Sequence, residues 1–249
     1  MSRQLTEVTR RWTELGGADP MWAALTDPGR GGGWDAEEFL RTGRSEIAEL
    51  LALLARRGVT PRTGTAVDFG CGPGRLSAAL AERGFAQVIG VDVSQTMLAK
   101  AREMVTDERC RFVLNQDADL SFIPSASVDL VYTCRVLQHM PRALSHGYIR
   151  EFLRIAAPGA VVVFQIPSEP AGGPVGTAMR LVPPPVLNRL RKGMEMHGTP
   201  ADAVTRLVAE AGGLTLSIEQ DTSAGPRWRS HLYVVQARDR TGPSPVHRS

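Results

Sequence analysis

The 249-residue sequence holds only two lysines, Lys100 and Lys192, and only three cysteines, Cys71, Cys110 and Cys134. An odd, sparse cysteine set without CxxC spacing argues against a disulfide framework and against a zinc site, so free thiols and no metal are expected. No apolar run approaches the roughly 18–20 residues of a membrane span. The polar start, MSRQLTEVTRRW, lacks the apolar core of a secretory signal. These absences predict a cytoplasmic chain with no membrane partner. The net charge of +3 rests almost wholly on arginine and forms no block of five or more positive residues, which makes a weak case for a nucleic-acid partner.

What is present is an ordinary globular composition, 43% apolar and 22% charged. That is enough for one full core with an appended cap. Residues 1–60 read as helical around a breaker cluster, Asp27-Pro28-Gly29-Arg30-Gly31-Gly32-Gly33. After it, Asp35 is placed to cap a long amphipathic helix carrying Phe39, Ile47, Leu50, Leu51 and Leu54 and ending near Gly58. From residue 64 to 166, short apolar runs alternate with helical patterns. Strands are expected at Thr65–Phe69, Gln87–Val91, Arg111–Leu114, Val128–Thr133 and Ala160–Ile166, with helices at Arg75–Arg83, Ser94–Met104 and Ala143–Ile155. That rhythm means a parallel sheet covered on both faces. Residues 167–199, rich in Pro and Gly, read as an insertion over the sheet. A helix over 200–213 follows, with Thr199 as N-cap, then strands at Leu214–Glu219 and His231–Ala237. The domain plan is therefore a helical cap over 1–60, a catalytic domain over 61–238 and a flexible tail over 239–249.

The informative segment is Val67-Asp68-Phe69-Gly70-Cys71-Gly72-Pro73-Gly74-Arg75. An apolar strand runs into glycines at alternate positions, and a helix follows. Gly70 and Gly72 let the backbone turn sharply and approach a ligand. A dinucleotide fingerprint would need glycine where Arg75 stands. Asp68 would repel a diphosphate, yet it suits a ligand with an ammonium group. S-adenosylmethionine is such a ligand. About 20 residues on, Asp92 ends the second strand, where a carboxylate can hold both ribose hydroxyls. Met97 then offers a soft side chain for adenine, and Asn115-Gln116-Asp117-Ala118 could meet its amino group.

On these motifs, residues 64–166 resemble the class I S-adenosylmethionine-dependent methyltransferases. Asp117-Ala118-Asp119-Leu120, Val128-Asp129-Leu130-Val131 and Ala157-Pro158-Gly159-Ala160 follow that family's order and spacing. The resemblance implies an α/β, Rossmann-like doubly wound sheet of seven strands, mostly parallel, whose last strand is antiparallel, under a helical N-terminal cap. It implies S-adenosylmethionine as cofactor and S-adenosylhomocysteine as product. The expected cofactor-binding residues are Asp68, Gly70, Cys71, Gly72, Gly74, Arg75, Asp92, Val93, Met97, Asp117, Ala118, Cys134 and Arg135, joined by Phe39 and Gly43 from the N-terminal helix.

His139, just after the fourth strand, is the acid–base candidate, since an imidazole can take a proton from a hydroxyl or ammonium. His197 and His231 are weaker candidates for the same role. Cys134 lacks the Pro-Cys context of pyrimidine C5 methylation, and no Asn-Pro-Pro-aromatic motif for adenine N6 methylation follows the strand. The expected reaction is O- or N-methylation of a small molecule, with Arg135, Arg180, Arg227 and Arg229 as clamps if it carries a carboxylate or phosphate. RNA or protein methylation and a non-methylating cofactor-binding module are the alternatives. A monomer or homodimer is expected.

Overall fold

The computed structural model describes residues 3–25, 33–171 and 195–238. Most of the Asp27–Gly33 breaker cluster, most of the 167–199 insertion with Arg180, and the 239–249 tail lie outside the described residues. Helices α1 (Arg3–Ala18), α2 (Pro20–Ala24) and α3 (Ala36–Arg56) precede the sheet. The sheet is built from β1 (Thr65–Phe69), β2 (Gln87–Asp92), β3 (Cys110–Leu114), β4 (Val128–Thr133), β5 (Ala156–Pro170), β6 (Gly213–Asp221) and β7 (Trp228–Ala237). Between them run α4 (Arg75–Glu82), α5 (Gln95–Met104), α6 (Arg142–Ile155) and α7 (Ala201–Glu210).

The seven strands stand in the order β3-β2-β1-β4-β5-β7-β6. All pairings are parallel except those of β7, which runs antiparallel to both β5 and β6. The expected doubly wound sheet with one antiparallel final strand is thus the observed one. β1 has β2 on one side and β4 on the other. Strand order reverses there, and a crevice opens beyond the carboxyl ends of β1 and β4, where open α/β sheets bind ligands.

Alternation along the strands splits the core into two layers. Val67, Val131, Val162 and Phe164 point to one face, where α1, α6 and α7 supply Leu5, Val8, Phe152, Ile149 and Val204. Ala66, Leu130, Tyr132, Val161 and Val163 point to the other, against Ile47, Leu50 and Leu54 of α3 and Leu76 and Leu80 of α4. Each fully buried Leu, Ile or Phe contributes roughly 1.5–3 kcal/mol. Burial on both faces is why these strands read as continuous apolar runs.

Local signals set the helix starts. The Asp35 carboxylate accepts from Glu38 N at the start of α3, and Ser94 Oγ accepts from Met97 N at the start of α5. Thr199 is not the cap of α7: Pro200 occupies that position, and Thr199 Oγ1 is bonded to His146 Nε2 instead. Residues 167–170, expected to open an insertion, instead continue β5 and pair with β7 across a register shift between Pro167 and Glu169.

α3 crosses α4 at Gly43, where an added Cβ would collide with the Arg75 carbonyl oxygen. Gly43→Ala should force the helices apart and cost about 1–3 kcal/mol. Denaturant unfolding checks this, and an unchanged midpoint would refute the close crossing.

Candidate active site

A cavity of about 660 Å³ opens at the β1–β4 crevice. Its size lies within the usual range for a small-molecule site. Its floor is the bend after β1. Gly70 and Gly72 lie at φ +77° and +50°. That backbone region penalises any side chain. Gly70 N and Cys71 N both donate to the Val91 carbonyl, which ties the bend to β2. The Asp92 carboxylate closes the same seam: Oδ2 accepts from Gly72 N and Oδ1 from Ser94 N, both at 2.9 Å. Burial raises the Asp92 carboxyl, and those backbone N–H groups oppose the rise. The Val93 N–H adds a third backbone donor, and a carboxylate with about four lone-pair sites keeps acceptor capacity for a further donor such as a ribose hydroxyl.

The cavity gathers Gly70, Cys71, Gly72, Arg75, Asp92, Val93, Met97, Cys134, Arg135 and His139. Asp68, Gly74, Asp117, Ala118, Phe39 and Gly43 lie off its wall. Asp68 is buried beneath the bend. Its Oδ2 accepts from Ser77 Oγ at 2.6 Å, Oδ1 has no partner, and burial pushes the carboxyl up to about 6. That buried carboxylate lies off the cavity wall, so it acts on an ammonium-bearing ligand through its charge and not by contact. A Cβ on Gly74 would meet Val105, Phe112 and Ala101, so this glycine serves the packing of α5 and β3. Asp117 and Ala118 are exposed. Asn115 takes their expected place in the cavity wall, and its Nδ2 donates to the Asp117 and Asp119 carbonyls. Phe39 is fully buried with its ring edge-on to Trp34, while Gly43 meets the backbone of Arg75.

His139 sits in a single 3-10 turn after β4. Its Nδ1 is 2.9 Å from the Glu195 carbonyl, so Nδ1 carries the proton and donates. Its Nε2 is 3.0 Å from Gln138 Nε2 and accepts. Burial pushes the imidazole down to about 4, so it is neutral at physiological pH. The Gln138 amide is fixed in turn by Gln165, whose Nε2 donates to Gln138 Oε1 and Ser230 Oγ and whose Oε1 accepts from Arg135 N. Arg135 holds φ +63°. That is an unusual backbone state for arginine. Burial pushes the Cys134 thiol up to about 11, which keeps it protonated.

The roof comes from Leu5, Val8 and Trp12 of α1, Met196, the loop Ser223–Arg227 and Trp228 at the start of β7; of these, only Arg227 was expected at the site, as a clamp. Trp12 meets the His139 ring edge-on at 5.2 Å. Glu46 was also missed, although it lies three residues beyond Gly43 on the same helix face. Gln165 was legible as a lone polar residue inside the apolar run Val161–Ile166. The Ser223–Arg227 loop carried two signals, its Gly-Pro pair and the basic Arg227.

Residues 66–159 match the family model described as a methyltransferase domain. The trans-aconitate 2-methyltransferase of Azoarcus sp. (strain BH72) is 34% identical over 172 residues, 68% of this chain and 64% of that protein. The protein of the same name from Methylobacterium radiotolerans is 37% identical over 136 residues, 54% of this chain and 48% of that one. The chain thus spans less than two thirds of the length of these relatives. Among solved structures, the magnesium protoporphyrin IX methyltransferase from Synechocystis PCC 6803 with bound SAH matches with a TM-score of 0.64 at 19% identity, over 93% of this chain and 99% of that one. An S-adenosylmethionine-dependent methyltransferase from Mesorhizobium loti matches with a TM-score of 0.59 at 24% identity, over 78% of this chain and 99% of that one. The fold is that of the class I S-adenosylmethionine-dependent methyltransferases. Within that fold, residues 66–159 are the part that matches a methyltransferase domain.

The depressed His139 pKa links to stability with a definite sign. Between about 6.5 and 4 the unfolded imidazole binds a proton that the folded one does not, so stability falls on acidification through that window and levels off below it. His139→Gln should flatten this part of the melting-temperature profile. Parallel profiles for the two proteins would show that His139 is not held neutral.

Proposed function

We propose that this chain transfers the methyl group of S-adenosylmethionine to an oxygen or nitrogen nucleophile of a small molecule. One observation carries the reading: a single cavity at the strand-order reversal gathers the glycine bend, the Asp92 carboxylate and the His139 network. When bound, S-adenosylmethionine supplies a methyl group already activated by its positive sulfur. The chain therefore has to bind, orient and exclude water. Gly70 and Gly72 let the backbone come close, and Asp92 accepts from ribose hydroxyls. Asp68, buried off the cavity wall beneath the bend, favours the ammonium group through its charge rather than by contact. Asn115 and Met97 provide the adenine end with a polar and a soft apolar neighbour. Leu5, Val8 and Trp12 close the roof against water.

His139 is in its base form at neutral pH, with its Nε2 lone pair held by the Gln138 amide. It can take a proton only after that amide moves aside. A nucleophile that is already ionised, such as a carboxylate, needs no such step. The relatives' name, trans-aconitate 2-methyltransferase, points to the same substrate chemistry. Arg227, exposed at the cavity mouth and without an ion pair among the described residues, is placed to meet an anionic group.

Labelled S-adenosylmethionine offered with a panel of small carboxylic acids, alcohols and amines should give a labelled small-molecule product. A chain that binds S-adenosylhomocysteine yet labels none of them, and labels RNA or protein instead, would overturn the substrate assignment. Asp92→Ala should weaken S-adenosylhomocysteine binding about tenfold or more, because charge-assisted hydrogen bonds are lost. Calorimetry showing wild-type affinity would remove Asp92 from the ribose site.

A further inference from the structure

Glu46 of α3 holds two arginines at once. Its Oε2 accepts from Arg75 Nη2 at 2.8 Å and from Arg135 Nη1 at 2.9 Å, while Oε1 accepts from the Tyr132 hydroxyl at 2.9 Å. Burial alone would raise the Glu46 carboxyl, but the two guanidinium groups hold it down at about 2, so it is ionised. Both arginines are permanently charged. One carboxylate thus answers two cations, and neither arginine has another ion pair among the described residues. Asp68 feels the Arg75 charge, but its hydrogen bond goes to Ser77.

A second observation points to a missing partner. Arg75 is 5% exposed, and its Nη1 is buried with no acceptor. Leaving a buried charged donor unanswered is costly. The cluster also stands between two cavities. Arg75 and Arg135 line both the main cavity and a second one of about 770 Å³ beside α3, and Glu46 lines the second.

We propose that Arg75 and Arg135, oriented by Glu46, form a carboxylate-binding subsite in the wall shared by the two cavities. The subsite rests on the methyltransferase reading and deepens it. Glu46 is the positioning residue: it takes one nitrogen of each guanidinium, Nη2 of Arg75 and Nη1 of Arg135, and leaves the remaining N–H donors for a ligand anion. The planar guanidinium fork matches a carboxylate. Two carboxylates could reach the subsite, one on the amino-acid end of the cofactor and one on the substrate.

Calorimetry on the full chain separates them with three probes. S-adenosylhomocysteine carries the amino-acid carboxylate, and 5′-methylthioadenosine shares its nucleoside and thioether but lacks that end. Trans-aconitate, added to protein loaded with S-adenosylhomocysteine, represents a carboxylate substrate. Arg75→Gln should weaken a carboxylate-bearing probe about tenfold or more while 5′-methylthioadenosine changes less than about twofold. Loss for S-adenosylhomocysteine assigns the subsite to the cofactor, and loss for trans-aconitate alone assigns it to the substrate. Loss for neither, or an equal loss for 5′-methylthioadenosine, overturns the proposal. Arg135→Gln, on a half-buried side chain, repeats the measurement where the Arg75 variant is poorly folded.

Glu46→Gln gives a readout that packing alone would not move. It strips both cations of their counter-charge, so the free protein should melt lower. The rise in melting temperature caused by the carboxylate-bearing probe should exceed that of the wild type, with no such gain for 5′-methylthioadenosine. An unchanged increment counts against the subsite. Wild-type protein that fails to bind S-adenosylhomocysteine sinks the methyltransferase reading itself, whereas intact wild-type binding with unaffected variants sinks only the subsite.

Discussion

The carboxylate of Asp92 joins the two strand ends on which the site is built. One oxygen takes the Gly72 N–H from the bend after β1, and the other takes the Ser94 N–H at the cap of α5. The Val91 carbonyl, one residue earlier, takes the Gly70 and Cys71 N–H groups. The bend is therefore held from β2 rather than by its own side chains. This works because glycine at 70 and 72 supplies the positive φ without a Cβ penalty. Asp92 also lines the cavity, so one carboxylate both shapes the bend and forms part of the cavity wall.

Around this frame the cavity controls charge by burial. His139 is neutral, the Cys134 thiol is protonated, and Glu46 stays ionised only because two arginines flank it. None of these groups is poised to change state near pH 7. Such a site offers fixed orientation rather than proton exchange. The amides of Gln138 and Gln165 serve that end, since they lock the His139 tautomer and the strained Arg135 backbone through one continuous hydrogen-bond chain. The N-terminal helices belong to the same core. Leu5 and Val8 of α1 pack with β1, β4 and α6, and α3 lies against α4 at the Gly43 crossing. That crossing sets where Glu46 meets Arg75, so a packing contact between two helices decides the electrostatics of the cavity wall.

The order of strands and helices was legible because each element announces itself locally. Apolar runs bounded by breakers marked β1 to β5, and Asp35 and Ser94 capped their helices as their types demand. The glycine bend and Asp92 were legible for the same reason, since strand, turn and helix follow one another within a few residues. Asp117 was named where Asn115 lines the cavity, because sequence spacing does not say which of four adjacent residues turns inward. Gly74 and Gly43 were named as ligand contacts, but their missing Cβ atoms make room for neighbouring side chains and backbone.

Sequence alone determined the sheet's architecture, the bend and the acidic strand end, all products of short-range pattern and backbone sterics. Only the tertiary structure decided that Glu46 binds Arg75 and Arg135, that Gln165 steadies Gln138, and that the Glu195 carbonyl sets the proton on His139. Those partners lie 27 to 89 residues apart in the chain. No local periodicity encodes such distances, because they arise when the sheet closes and burial forces each polar group to find its partner.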